Sequence, residues 1–211
     1  IDADGTATIE YIFHFANEPG GAEMEFVDIV MPQDSRWSVN NATADLNGNP
    51  ITKIDISDYV PNAVMIDLRP NVIQPGEKGV VGFRITGVKD VLYTADGQIN
   101  NEDYASFQFQ PNMFEAGTVT GRTKMTVTLF LPPGMNQDEP RYYTPQGWPG
   151  TNEPNESGFD SAGGVYYRWY SEDASTLDSY IFGGAFPARL ITDASAIRSP
   201  EEFNQAPVIS V

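Results

Sequence analysis

Apolar and polar residues alternate with a period of two along much of the chain. From Ala7 to Ala16, Ile9, Tyr11, Phe13 and Phe15 fall on one face while Glu10, Ile12 and His14 fall on the other. Successive side chains of a strand point to opposite faces, so this is the pattern of a half-buried β-strand. The same period predicts strands over 25–31, 63–68, 79–85, 104–109, 118–131, 165–170 and 180–186. Turn formers stand between them, among them Glu18-Pro19-Gly20-Gly21, Asn47-Gly48-Asn49-Pro50, Gln74-Pro75-Gly76-Glu77, Pro132-Pro133-Gly134 and Ala162-Gly163-Gly164. The intervening segments are too short for crossover helices, which predicts an all-β sandwich architecture rather than α/β units. One helix start is written near the end. Ser199, Pro200 and Glu202 supply an N-cap, a first-turn proline and a capping box ahead of Phe203, and Ala206-Pro207 should stop the helix.

A faint internal repeat sets the domain organisation. The apolar strand ending in proline at Phe26 to Pro32 is matched about 100 positions later by Val127 to Pro132. Val64 to Leu68 stands 101 positions before Val165 to Trp169, Gly82-Phe83 has its counterpart in Gly184-Ala185-Phe186, and Ile9 to Phe15 corresponds loosely to Tyr104 to Phe109. The shared order and near-constant displacement predict a duplicated module of about 100 residues, the size of an immunoglobulin-like sandwich. The fold expected is therefore two tandem immunoglobulin-like β-sandwich domains, over 1–89 and 103–195. A junction loop at 90–102 would join them, and a short helix with a C-terminal tail would occupy 196–211.

Gln74-Pro75-Gly76-Glu77 followed by Val80, Val81, Phe83 and Ile85 resembles the immunoglobulin-like modules of exported bacterial proteins. Tyr104-Ala105-Ser106-Phe107, Val119-Thr120-Gly121-Arg122-Thr123, Leu131-Pro132-Pro133-Gly134 and Phe182-Gly183-Gly184-Ala185-Phe186-Pro187 are similar to the ectodomains of membrane-anchored bacterial surface proteins. The resemblance covers about half the chain. It implies an extracellular or cell-surface location and a structural or binding role with no catalysis.

Charge narrows the partners. Twelve Lys and Arg stand against 29 Asp and Glu, a net charge of −17. Nucleic acid and anionic membrane surfaces both need a basic footprint, so neither is expected as a partner. With no run of 18 apolar residues, membrane attachment would come only through a segment outside these 211 residues. The partner expected is a protein or a glycan.

Catalytic chemistry finds little to stand on. The chain has no cysteine and one histidine, His14, which strand alternation turns toward solvent or a neighbouring strand. Thiolate chemistry, a Ser-His-Asp triad and His-rich metal sites are thereby disfavoured. No catalytic residue is assigned. A carboxylate-dependent glycoside hydrolase stays open as an alternative because it needs only two of the 29 acids.

Two candidate sites remain. A carbohydrate-binding module presents flat rings to pyranose faces, and Val165 to Tyr170 offers two faces for this: Val165, Tyr167 and Trp169, or Tyr166, Arg168 and Tyr170. One face must be core. The other would form an aromatic strip, extended by Tyr142, Tyr143 and Trp148 from the preceding loop, so the candidate ligand-binding residues are Tyr142, Tyr143, Trp148, Tyr166, Arg168 and Tyr170. The competing reading makes the loop rings a plug for the end of the sandwich. The second candidate is the stretch TADGQINNED, 94–103, which matches the latter half of an EF-hand loop through Asp96, Asn100 and Asp103. The first and third ligand positions fall on Leu92 and Thr94, however, so a polar turn is the reading favoured over a calcium site. No other cofactor is expected.

Overall fold

The computed structural model describes residues 1–99, 101–119 and 122–199. It is all-β, with no α-helix among the described residues. The chain divides into two compact units, residues 7–88 and residues 1–6 together with 89 onward.

The first unit contains β1 (Ala7–Ala16), β2 (Phe26–Val30), β3 (Ala42–Leu46), β4 (Asn49–Ile51), β5 (Ile54–Ile56), β6 (Ala63–Asp67) and β7 (Lys78–Val88). They form one sheet in the order β1-β7-β3-β4 and another in the order β2-β6-β5, each pair antiparallel. Alternation decides what each face buries. Ile9, Ala44, Leu46, Val81, Phe83 and Ile85 are buried on the first sheet, and Val27, Ile29, Val64 and Ile66 on the second. The loop between β2 and β3 is closed by a short 3-10 turn, Val39–Asn41, in which the Ser38 side chain accepts from the Asn40 amide.

The second unit contains β8 (Leu92–Ile99), β9 (Glu102–Phe109), β10 (Thr123–Pro133), β11 (Arg141–Gln146), β12 (Glu156–Phe159), β13 (Gly164–Ala174), β14 (Ile181–Pro187) and β15 (Ile197–Arg198). Its sheets run β11-β14-β9-β8-β15 and β10-β13-β12. No sheet draws strands from both units among the described residues.

The two units share a connectivity. With β8 and β15 set aside as additions at one edge of the second unit, the first strand of each pairs with the last and the last with the third: β1-β7-β3 in one, β9-β14-β11 in the other. Likewise β2-β6-β5 is repeated as β10-β13-β12. The four matched sequence segments lie on these equivalent strands. One refinement emerges from the ladders, where Val27 faces Ile66 but Val127 faces Trp169. Relative to the 101-residue displacement, β13 is shifted by two positions, which keeps every side chain on its face.

Where a junction loop is expected at 90–102, residues 92–99 form β8, a strand of the second unit hairpinned to β9. Residues 1–6 also belong to that unit. Thr192 donates its amide to the Ala3 carbonyl at 2.8 Å, and Gly5 sits at φ +85 with no room for a side chain, since a Cβ there would lie 2.4 Å from that of Ala196. The expected C-terminal helix falls from residue 200 onward, outside the described residues. Just before it, Ala194–Ala196 is a 3-10 turn capped by the Asp193 side chain, and β15 follows in parallel pairing with β8.

Close strand approach makes Gly183 a sensitive position. It lies on β14 between β9 and β11, and a Cβ would stand 2.6 Å from the Phe107 carbonyl oxygen and 2.8 Å from the Tyr143 ring. Gly183→Ala is expected to destabilise the second unit by about 1–3 kcal/mol, the usual cost of overpacking. A lower urea midpoint with an unchanged slope would register it.

Candidate functional site

Strand alternation on β13 decides which of the two aromatic faces is core. Val165, Tyr167 and Trp169 are buried, and Trp169 is fully enclosed. Tyr166, Arg168 and Tyr170 therefore face outward from the sheet β10-β13-β12. The ladders arrange this outer face in rows. Phe130, Tyr166 and Gly158 form one row, and Thr128, Arg168 and Glu156 the next. Thr126 and Tyr170 form a third. Rows two residues apart along a strand are about 6.8 Å apart, which puts the Cα atoms of Tyr166 and Tyr170 about 14 Å from each other.

Each member of the face is held. The Tyr166 ring lies against Phe130, centroids 6.1 Å apart, and across Gly158, where a Cβ would come within 3.2 Å of it. Arg168 stands 5.5 Å over the Tyr166 ring centre. Its Nη1 donates to Glu156 Oε2 at 2.7 Å and its Nε to Thr128 Oγ1 at 3.2 Å. The Tyr170 hydroxyl donates to Glu172 Oε1 at 2.5 Å, and Lys124 Nζ donates to the same oxygen at 2.8 Å. The Glu172 carboxyl is accordingly held below the usual carboxylate range, by the hydrogen bond from Lys124 first and by Tyr170 next. The Tyr170 hydroxyl is raised, chiefly because it donates to Glu172. Tyr170 and Phe130 are 40% and 47% exposed, so rings remain open to solvent although their edges are fixed.

The other three predicted ligand residues do not join this strip. Tyr142, Tyr143 and Trp148 were expected in a loop, yet Tyr142 and Tyr143 lie on β11. Trp148 is only 9% exposed and meets Tyr180 and Phe182 edge-on at 5.3 and 5.1 Å. Tyr142 packs edge-on to Tyr167 and Trp169 at 5.1 and 5.9 Å. These two rings complete the interior aromatic cluster, which is the plug that sequence reading offered as the competing explanation. The Tyr143 hydroxyl is hydrogen-bonded to the buried Ser106 Oγ at 2.7 Å. Phe130, Thr128, Glu156, Lys124 and Glu172 were not named from the sequence. The alternation of Thr126, Thr128 and Phe130 against Val127, Leu129 and Leu131 was the signal that could have found β10's contribution.

In the stretch 94–103, Gln98 faces Asp103 across the β8–β9 hairpin and donates its side-chain Nε2 to Asp103 Oδ1 at 2.7 Å. Asn101 occupies the turn at φ 62, a conformation asparagine tolerates. Asn100 and the side chain of Asp96 lie outside the described residues. Among the described residues no group of three or more His, Asp or Glu is placed to hold a metal ion.

A glycosidase acid needs a carboxyl raised toward neutrality. Asp28 on β2 is raised by burial, with Ser57 opposing the shift. Its ladder neighbour is Met65, and the row continues across β6 to Asp55 on β5. His14 is exposed, one of the two placements alternation allows. No described helix is long and apolar enough to cross a membrane, which leaves strand-built membrane crossing unaddressed. No protein-family model matches the chain, and no curated protein matches it significantly.

Proposed function

We propose that this chain is a non-catalytic binding module, two immunoglobulin-like sandwiches in tandem displayed by an exported bacterial surface protein, with the outer face of β10, β13 and β12 as its working surface. The observation carrying this reading is the row structure of that face, where exposed rings alternate with a charged, hydrogen-bonded row. Rings left open on a sheet forgo burial, a cost a purely structural sheet avoids by placing polar residues outward. Here Tyr170 is fixed through its hydroxyl by Glu172 and Tyr166 by Phe130, Gly158 and Arg168, so little freedom is lost when a ligand lies on them. A glycan suits this surface: its apolar faces match Phe130, Tyr166 and Tyr170, and its hydroxyls match Arg168, Glu156 and Thr128. The shared connectivity of the units and the acidic charge support the surface-module reading, the second by discouraging nucleic acid and anionic lipid as partners.

Retention on a glycan panel tests it. Tyr166→Ala with Tyr170→Ala is expected to weaken the best ligand by at least about tenfold, a loss of about 1.4 kcal/mol or more, while the fully enclosed Trp169 on the opposite face keeps the second unit folded. Equal retention by the double variant would remove this face as the binding surface. Turnover of any aryl glycoside by the wild-type chain would overturn the non-catalytic reading.

A further inference from the structure

The first unit carries a second constellation, distinct from the outer face of β10, β13 and β12. Tyr59, in the loop between β5 and β6, is 70% exposed, and its ring is stacked on Phe26 at 5.2 Å with 19° between the planes. The loop beneath it is pinned: Ser57 Oγ accepts from the amides of Tyr59 and Val60 at 3.1 and 3.0 Å, and the Ser57 amide donates to the Ala63 carbonyl at 2.9 Å. An aromatic platform is thus held flat and open.

Asp67, the ladder partner of Phe26, lines a cleft of about 590 Å³ whose rim includes Lys53, Arg69, Lys78, Glu77, Asn49, Thr52 and Asn71. Residues 7–88 hold five Lys and Arg, namely Arg36, Lys53, Arg69, Lys78 and Arg84, and three of them line this cleft, in a chain of net charge −17. The cations are oriented from below by Asp67, which is buried and faces Phe26 in the ladder. Asp67 takes Arg69 Nε and Nη2 at 2.8 Å each, and the Arg69 amide at 2.9 Å. That leaves Nη1, which among the described residues comes into ion-pair range of Glu25, at 3.9 Å and on a half-exposed side chain. Lys53 Nζ reaches Asp67 at 3.6 Å and is 65% exposed. Both cations therefore keep donor capacity facing the cleft, with the Arg69 guanidinium locked in plane.

We infer that this constellation is a binding site for an acidic saccharide, the pyranose face of a uronate residue on Tyr59 and its carboxylate on Arg69 Nη1 and Lys53 Nζ. The amides and hydroxyl of Asn49, Asn71 and Thr52 supply partners for the neighbouring sugar hydroxyls. Glu25 is the built-in competitor, since a ligand carboxylate takes its place at Nη1. The inference stands apart from the reading of the outer face in the second unit, and a residue-resolved titration separates the two.

The test is an amide chemical-shift titration of the ¹⁵N-labelled chain with trigalacturonate, with its methyl ester and with succinate as controls. Saturable shifts are expected at 24–28, 53–60 and 67–71, and the methyl ester should bind at least about fivefold more weakly, the scale of a charge-assisted contact at a partly exposed site. Tyr59→Ala and Lys53→Gln, both at exposed side chains, should each weaken binding by about threefold or more, whereas Glu25→Gln should tighten it by about twofold. No saturable shift at these residues overturns the inference. Equal binding of the methyl ester overturns the carboxylate assignment, and equal binding of succinate with an unaffected Tyr59→Ala variant reduces the site to a simple anion cleft and overturns the sugar. Shifts confined to β10, β12 and β13 would support the face of the second unit and sink this site.

Discussion

Trp169→Ala is expected to destabilise the second unit by about 3–5 kcal/mol, the range for emptying a fully buried indole. Trp169 is completely enclosed, faces Val127 across the ladder, and contacts Tyr142 and Phe182 at 5.9 and 5.3 Å. It joins the two sheets of the unit, because Phe182 lies on β14 while Trp169 lies on β13. Small residues cannot fill the space without drawing the sheets together. Trp148, Tyr180 and Tyr167 are tied into the same cluster and would resist that movement. Urea unfolding followed by far-ultraviolet dichroism checks it, with Tyr170→Ala as the neighbouring outward-facing control. A loss under about 1 kcal/mol would mean that the cluster collapses around the gap and that the cavity contribution is small.

The second large effect belongs to Asp67. Removing it in Asp67→Ala takes acceptors from three donors of Arg69 at once and is expected to cost the first unit about 2–3 kcal/mol at neutral pH, the scale of hydrogen bonds to a charged group. The side-chain hydrogen bonds from Arg69 hold the Asp67 carboxyl well below the usual carboxylate range, with the Arg69 amide and the charges of Arg69 and Lys53 acting in the same direction against burial. A depressed folded pKa means that the unfolded chain binds the proton more readily. The stabilisation is therefore complete above the ordinary aspartate value of about 3.9 and is lost as pH falls toward the lower folded value. The difference in stability between wild type and Asp67→Ala should stay flat from pH 7 to about 5 and shrink steadily below about 4. Paired urea titrations across that window measure it. A gap that is constant down to the acid limit would show that the neutral carboxyl serves Arg69 as well as the anion does.

Long strands with an unbroken period of two were readable from residues alone. β1, β7 and β10 announce themselves because a buried apolar face alternates with a more exposed one over five or more positions, whereas β2, β6 and β14 are short apolar runs marked by the turn residues around them. β4, β5 and β12 span only three or four residues, and Asn49-Pro50-Ile51 even carries a proline, so too few positions exist for a period to emerge. β8 was hidden for another reason. Its polar sequence through Thr94 and Gln98 is interrupted by a register irregularity between those two residues, which breaks alternation. The site shows the same division. Tyr166, Arg168 and Tyr170 were placed on one face by parity, which a strand enforces. Trp148 stands outside any strand, where no parity links sequence position to direction, and its burial follows from packing against Tyr180 and Phe182. Asp67 lies on β6, whose buried neighbours Val64 and Ile66 give no hint of the ion pair with Arg69 two residues on. That pair depends on how the chain turns after the strand.

Residues 1–6 and the chain from 89 onward make one unit, and the first seven-stranded unit is spliced between them, with Ala7 and Val88 paired side by side at its mouth. The second unit is therefore discontinuous in sequence: a cut between residues 6 and 7 would separate from it the strand end that holds the Thr192-to-Ala3 hydrogen bond and the Gly5 contact, while sparing every ladder of the first unit, which begins at Ala7.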